Sequence, residues 1–208
     1  MSATPGEDLG EKVRQLERVV RDLSLVLTRV VEARESYAIG HERRVAELVG
    51  AMAAEMGLPA DRAEGMIIAA LLHDIGKISV PSEIYGKPDL FTEIEFKLIQ
   101  THSQEGYAML KAIPFPWPVA ETVLQHHERL DGSGYPYGLT GEAILPAARV
   151  LAVADVVEAM VSHRPHRPPH GLTNALLEIQ ENRGSLYDAA AVDSCVRLFR
   201  EKDFTFSA

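Results

Sequence analysis

Apolar residues recur along most of this chain at the three- and four-residue spacing that is typical of α-helices. Between about residues 36 and 56 they form a stripe at Val45, Leu48, Val49, Met52 and Met56. No stretch shows the sustained apolar–polar alternation that indicates a half-buried strand. The pattern therefore predicts an all-α protein.

Further helices are predicted from apolar runs and from residues that start helices. Thr92 with Glu95 forms a capping box, and a proline stands where a first helical residue is expected at Pro118 and at Pro146. We expect the helix after Pro118 to run to about Leu130. Helices are also expected at Ala60–His73, Thr173–Asn182 and Ala189–Glu201.

The first 35 residues carry a different pattern, in which apolar residues repeat every seven positions. One series is Leu9, Leu16, Leu23 and Val30, and the second is Val13, Val20 and Leu27. This a/d choice favours a parallel two-stranded coiled coil. We therefore predict an N-terminal helix over 1–35 that forms a homodimer, and a main domain over 36–208. The alternative is a single amphipathic helix lying on its own domain, which is favoured by the wider apolar face that includes Val19, Val26 and Val31.

Composition narrows the function classes. The chain has 208 residues and a net charge of −9, which argues against nonspecific binding of a nucleic acid polymer, although a small anionic substrate remains compatible with it. No apolar run approaches the roughly 20 residues that span a bilayer. Met1–Gly10 lacks the pattern of a secretory signal, and the lone Cys195 is typical of a reducing compartment. We expect a cytoplasmic protein without a membrane segment.

Seven polar residues occur where their helices are expected to face inward: His41, His73, Asp74, His102, His126, His127 and Asp155. Burying such a set without a cation leaves uncompensated groups, each costing several kcal/mol. Nitrogen and oxygen ligands without cysteine suit iron, manganese, zinc, cobalt or nickel better than copper(I). Seven ligands are too many for one ion, so we predict a two-metal site of the kind found in hydrolases, with one aspartate shared.

Three more histidines lie in the loop Ser162–Gly171, which is rich in proline and arginine. His163, His166 and His170 are spaced closely enough to bind a metal. We interpret them instead as residues of a solvated loop.

The order of several motifs resembles that of the HD-GYP family, a branch of the HD phosphohydrolase superfamily. The motifs are Gly40–Val45, the HDIGK string at His73–Lys77, His102, the HHE and DGSGYP strings between His126 and Pro136, and Arg149–Asp155. The resemblance covers about Tyr37 to Phe199. It implies a helical HD-domain bundle that hydrolyses the second messenger cyclic di-GMP to linear pGpG, with GMP as a potential second product. It also implies a hydroxide that bridges two divalent ions, iron or manganese.

The resemblance assigns a role to each candidate residue. One ion would be held by His41, His73, Asp74 and Asp155. The second would be held by His102, His126 and His127, with Asp74 shared between the two ions. Asp74 is thereby placed in the catalytic machinery as well as in the metal site.

The remaining roles concern the substrate. Lys77 would stabilise charge on the scissile phosphate; the alternative is that it compensates the dipole at a helix C-terminus. Tyr135 would present its ring or hydroxyl to the substrate, and the alternative is a loop anchor. Arg164 and Arg167 would bind substrate phosphates, for which the planar guanidinium is suited.

The chain also departs from the family pattern. Members with three ions carry a glutamate where this chain has Tyr37, so two ions are expected. Val156–Met160 and His166 differ as well, and these differences fall on the substrate side. Two other functions therefore stay open: a phosphohydrolase of another nucleotide, and a non-catalytic module that binds a cyclic dinucleotide or, through the GYP loop, a signalling protein. Retention of every predicted ligand favours catalysis.

Overall fold

The computed structural model describes residues 5–34, 39–85, 90–162 and 170–207. Within these ranges the chain is helical and contains no strand, only two isolated β-bridges, so the all-α prediction is confirmed. The α-helices are α1 (Pro5–Glu32), α2 (His41–Glu55), α3 (Ala60–Leu72), α4 (Ser82–Tyr85), α5 (Glu93–Gln100), α6 (His102–Leu110), α7 (Val119–Gln125), α8 (Pro146–Val161), α9 (Leu172–Glu181) and α10 (Ala189–Glu201). Two 3-10 helices span Ile75–Ser79 and Gly141–Ala143.

The main core lies between α2 and α8 and is closed by α9 and α10. Leu48 and Met52 of α2 are fully buried in one cluster with Val153 and Val157 of α8. Burying a side chain of this size stabilises the fold by about 1.5–3 kcal/mol. The two helices are thereby held side by side, and α2 begins at the level at which α8 carries Asp155.

Helix α3 contributes to two clusters, one on each side. Met66 and Ala70 face the main core, whereas Ile68 and Leu72 pack against α7 in a second cluster. A helix with apolar neighbours on both sides needs the continuous apolar sequence that α3 has. Its C-terminal end at Leu72 is therefore buried inside the molecule.

Most helix starts agree with the sequence. The capping box at Thr92 and Glu95 and the first-turn proline Pro146 are both present. One predicted end is wrong, because α7 stops at Gln125 and not near Leu130. Beyond that point backbone groups bond to distant partners: the Leu130 N–H donates to the Leu186 carbonyl (3.1 Å).

One face of helix α1 packs against the rest of the same chain. Ser24 and Thr28 are buried, and the Thr28 hydroxyl donates to the Leu71 carbonyl at 2.7 Å. Arg21 pairs with Glu64 of α3. The rest of the helix exposes an apolar face, with Val13, Leu16, Val19, Leu23, Val26, Leu27 and Val30.

Most side chains at the heptad positions of α1 are therefore exposed to solvent. Val20 is half-buried against the second cluster, and the side chain of Leu9 is outside the described part. The alternative of a helix lying on its own domain therefore describes one face, while the dimer prediction concerns the other. None of the described helices is long and apolar enough to span a membrane.

Candidate metal centre

All seven predicted ligands converge at one place in the molecule. They come from the first residue of α2, the residues directly after α3, the first residue of α6, the residues directly after α7, and the middle of α8. Every one except His127 is buried to at least nine-tenths, and the His127 side chain is 19% exposed. Helices that are distant in sequence therefore direct polar side chains into the interior, as their apolar spacing predicted.

The residues form two triads whose ligand atoms lie within 4.8 Å of one another. We call His41, His73 and Asp155 the carboxylate triad, and His102, His126 and His127 the histidine triad. A third group of the same compactness, His73, Asp74 and His126, spans both. The two triads are therefore adjacent, and Asp74 lies between them.

Asp74 directs one oxygen toward each triad. Its Oδ2 lies 3.3 Å from His73 Nε2 and 3.7 Å from His41 Nε2, and its Oδ1 lies 3.4 Å from His102 Nε2. Asp155 supplies the other carboxylate, with Oδ1 3.3 Å from His41 Nε2. A carboxylate with its two oxygens divided in this way has the geometry of a bridging ligand.

Three of the rings are fixed by the backbone carbonyl of the residue three positions earlier. The Nδ1–H of His73 donates to the Ala70 carbonyl (2.7 Å), and those of His102 and His126 donate to Ile99 and Val123 (2.7 and 2.6 Å). A carbonyl oxygen can only accept a hydrogen bond. Each ring therefore carries its hydrogen on Nδ1 and directs the Nε2 lone pair toward the centre. Such bonds orient metal-binding histidines in general.

These lone pairs lack donors. The Nε2 atoms of His102 and His126 face each other at 3.3 Å. The buried Nε2 of His73 has no hydrogen-bond partner among the described residues. Lone pairs that face one another around a carboxylate require a cation, so the donor set fits divalent metal ions.

The triads differ in electrostatics. Burial lowers the pKa of His126, as do the neighbouring rings, and places it at about 3; burial also lowers the pKa of His102 and His127. Burial opposes protonation of His41 too, but Asp155 and Glu158 outweigh it and raise the pKa of His41 to about 10. The histidine triad is therefore neutral, whereas the carboxylate triad attracts positive charge.

Two buried glutamates of the centre were not identified from the sequence. Glu158 accepts from His41 Nδ1, from Arg44 Nε (2.7 Å) and from the Ser162 hydroxyl (2.5 Å). Although burial raises the pKa of Glu158, the bond from His41 and its charge lower it to about 2. Because Glu158 follows Asp155 by three residues on α8, helical spacing was the signal that could have identified it.

The second missed residue is Glu42, at the start of α2. Its Oε2 is buried without a hydrogen-bond partner in the described part of the chain. Burial raises the pKa of Glu42 to about 7, while the charge of His41 opposes that shift. Its place directly after a ligand in the sequence was the only available signal.

Lys77 lies beside Asp74. Its Nζ is 2.8 Å from Asp74 Oδ2, and its side chain is 13% exposed. The 3-10 helix that carries Lys77 approaches α6 closely at Gly76, where an added Cβ would lie 1.9 Å from the His102 carbonyl oxygen. A glycine is therefore needed for the backbone contact that brings Lys77 to the centre.

The GYP loop covers the histidine triad. The Tyr135 ring lies 4.6 Å from that of His127 by centroids. Glu128, buried and not predicted, fixes the loop by accepting from the Tyr137 N–H (2.8 Å) and the Leu139 N–H (2.9 Å). Burial raises the pKa of the Tyr135 hydroxyl, and the charges of Asp155 and Asp74 add to the shift, so the ring contacts the centre as a neutral phenol.

Two predicted substrate residues, Arg164 and Arg167, lie outside the described part of the chain. Tyr37, His163 and His166 lie outside it as well. His170 is described, and it is exposed. It is not a member of either triad.

Comparison with known proteins identifies a matching family model and several similar proteins. A family model described as "HD domain" matches residues 25–191. The cyclic di-GMP phosphodiesterase response regulator RpfG of Xanthomonas campestris is 36% identical over 187 residues, which cover 89% of this chain and 50% of RpfG. The 3'3'-cGAMP-specific phosphodiesterase 1 of Vibrio cholerae is 36% identical over 180 residues, covering 86% and 42%.

A solved structure also resembles this fold. The cyclic GMP-AMP-specific phosphodiesterase V-cGAP3 of Vibrio cholerae superposes with a TM-score of 0.67 at 18% identity, covering 88% of this chain and 49% of that one. The chain spans about half the length of the curated relatives it matches.

Proposed function

Because this chain belongs to the HD-domain family, in its HD-GYP branch, we propose that it is a metal-dependent phosphodiesterase that hydrolyses cyclic di-GMP to linear pGpG. GMP is the product if a second cleavage follows. The relatives that carry this activity are longer than this chain, so the proposal concerns the segment that contains the centre.

We propose two divalent ions, iron or manganese. The carboxylate triad would hold one and the histidine triad the other, with one Asp74 oxygen for each. Bound there, the ions supply Lewis acidity and lower the pKa of a coordinated water. The single observation that carries the proposal is the set of donor-less Nε2 lone pairs around Asp74.

The chain's own groups account for the remaining chemistry. The ammonium of Lys77 beside Asp74 adds a fixed positive charge where a phosphate would gain negative charge during hydrolysis. The Tyr135 ring narrows the entrance over His127 and helps to exclude water. Arg164 and Arg167 are proposed to bind the substrate phosphates on the strength of the resemblance.

The test is metal analysis of protein purified without oxygen, combined with a cyclic di-GMP hydrolysis assay on the same sample. We expect about two ions per chain and a linear dinucleotide product. Fewer than one ion per chain, with no gain on adding iron or manganese, would contradict the metal centre. Two ions without turnover would favour a binding module.

A second substrate is favoured by one comparison. A relative equally similar in sequence is named as specific for 3'3'-cGAMP. The same loaded protein should therefore be assayed against 3'3'-cGAMP and cyclic di-GMP in parallel. A higher kcat/KM for 3'3'-cGAMP would reassign the substrate and leave the metal proposal intact.

We also propose that α1 joins two chains in a parallel homodimer in the cytoplasm. The exposed heptad positions support this, since Leu16 is 64% and Leu23 58% exposed. Light scattering should show a dimer that Leu16→Glu with Leu23→Glu converts to a monomer. Arg18→Glu, elsewhere on the exposed helix surface, is the matched control.

A signalling protein could bind at the GYP loop, where Tyr137 is 60% exposed.

A further inference from the structure

The C-terminal part of α1 carries three polar side chains to which the proposed hydrolysis assigns no role. They are Thr28 and Glu32, within the last two turns, and Arg34, two residues beyond the helix end. Each side chain bonds to a backbone group of another segment, between 8 and 46 positions away in the sequence. The three segments that receive these bonds carry predicted metal ligands and the lysine beside them.

Thr28 bonds to the end of α3, directly before two predicted ligands. Its side chain is buried, and its hydroxyl donates to the Leu71 carbonyl at 2.7 Å. The last four carbonyls of a helix have no partner within that helix. The preceding carbonyl, that of Ala70, accepts from the His73 Nδ1–H. Thr28 therefore fixes the helix end that is followed by His73 and Asp74.

Glu32 bonds to the start of α2, whose first residue is His41. Its Oε1 accepts from the Gly40 N–H at 2.6 Å. In a capping box, the third residue of the helix itself accepts this bond. In α2 that residue is Arg43, whose side chain has no acceptor. Glu32 therefore supplies the missing acceptor from another helix and holds the backbone directly before His41.

Arg34 bonds to the segment that carries Lys77. Its guanidinium donates to the carbonyls of Ile78 and Val80, the second at 3.4 Å. The 3-10 helix that contains Lys77 ends at Ser79, between these two carbonyls. Arg34 therefore bonds across the end of the helix that brings Lys77 to the metal centre.

We propose that Thr28, Glu32 and Arg34 are positioning residues, which fix the backbone beside the carboxylate triad and beside Lys77. This role rests on the proposed function, because the three residues act through the ligands of the proposed metal centre. Glu32 acts at one ligand, His41, which belongs to the carboxylate triad. The histidine triad lies at the start of α6 and after the end of α7. A change at Glu32 should therefore weaken one metal site and leave the other unchanged.

The first test is calorimetric titration of the full chain with Mn²⁺, comparing Glu32→Ala with Glu32→Gln. Alanine removes the acceptor, whereas glutamine keeps an oxygen for the Gly40 N–H. We expect Glu32→Ala to bind Mn²⁺ about tenfold more weakly at one of two sites, at the lower end of the effects of groups that orient metal ligands. Glu32→Gln should recover most of this affinity. Arg29→Ala, exposed on the same helix, is the matched control.

The site-by-site comparison separates positioning from a purely structural role. Loss of stability alone would weaken both sites of the folded protein equally or leave both unchanged. Either result in Glu32→Ala would overturn the proposal, and so would a Glu32→Gln variant that binds as weakly as Glu32→Ala.

Thr28 offers an independent pair of variants. Thr28→Val keeps the shape and removes the hydroxyl, while Thr28→Ser keeps the hydroxyl. At saturating Mn²⁺ we expect Thr28→Val to lower kcat for cyclic di-GMP several-fold, because the ligands after α3 are displaced. Thr28→Ser should recover the rate, with circular dichroism confirming that both variants are folded. A serine variant as slow as the valine variant would assign the effect to packing of the threonine methyl group and overturn the role of the hydroxyl.

Amide hydrogen exchange distinguishes a failure of this proposal from a failure of the proposed function. Without added metal, the peptide that contains Gly40 and His41 should exchange faster in Glu32→Ala than in Glu32→Gln, since only alanine leaves the Gly40 N–H without its acceptor. Equal exchange in the two variants would overturn the positioning role whether or not the protein hydrolyses cyclic di-GMP. Faster exchange in Glu32→Ala, together with no Mn²⁺ binding by the wild type, would contradict the metal centre and support the contact of Glu32.

Discussion

The two triads of the centre differ in how readily their histidines are protonated. In the carboxylate triad, Asp155 and Glu158 outweigh burial and raise the pKa of His41 to about 10. In the histidine triad, burial and neighbouring rings lower the pKa of His126 to about 3. An ion bound at the carboxylate triad, as proposed, would therefore displace a proton from it, whereas the histidine triad is neutral before any ion binds. If both triads bind ions, the two proposed sites are unequal.

The largest expected effect is at Asp74, which lies between the two triads. Asp74→Ala removes the oxygens that face His73 and His102. We expect the loss of both ions and of all hydrolysis, measured by elemental analysis and product chromatography. Full metal content in this variant would show that Asp74 does not bridge.

The next variant separates the triads. His126→Ala removes one of three neutral ligands, so we expect about one ion per chain to remain in the carboxylate triad and activity to be lost. Elemental analysis gives the count. His170→Ala, an exposed histidine outside both triads, should retain the wild-type metal content. Loss of both ions in His126→Ala would mean that the triads are not independent.

A smaller effect on metal binding is expected when Glu158, the hydrogen-bond partner of His41, is substituted. Glu158→Gln keeps the shape but removes the charge that orients the ring, and outer partners of this kind typically contribute 10–100-fold in metal affinity. Calorimetric titration with Mn²⁺ should show that weakening at one of two sites. Glu121→Gln, exposed on α7, serves as the comparison. Equal weakening of both sites would contradict a role specific to the carboxylate triad.

The smallest effect is expected at the loop over the histidine triad. Glu128→Gln retains one acceptor for the Tyr137 and Leu139 N–H groups and loses the other. We expect kcat/KM to fall about tenfold, mainly through KM, with the metal content unchanged. Glu142→Gln, an exposed control, should behave as wild type. A loss of metal in Glu128→Gln would assign the residue to the metal centre instead of the loop.

Residues whose role follows from local spacing could be predicted. His41 precedes Val45 by four residues, so the stripe that buries Val45 also directs His41 inward, and both are buried. The same argument placed Asp155 on the inner face of α8. The capping box at Thr92 and the first-turn proline at Pro146 are equally local, and both are present.

Residues whose role depends on a distant partner could not be predicted. Glu158 meets His41 across 117 positions of sequence. The end of α7 depends on bonds from Leu130 to Leu186 and from Tyr135 to His127. Helix propensity alone extends such a helix, because it carries no information about partners from other segments.

The sequence by itself determined the helical class and the inward direction of the seven predicted ligands, since periodicity fixes which face of a helix each residue occupies. Only the tertiary structure decided that Asp74 directs one oxygen toward each triad, that Glu158 contacts His41, and that Glu128 fixes the loop over the histidine triad. The reason is physical. Spacing along one helix sets a direction, but distances between atoms of different helices follow from how those helices pack.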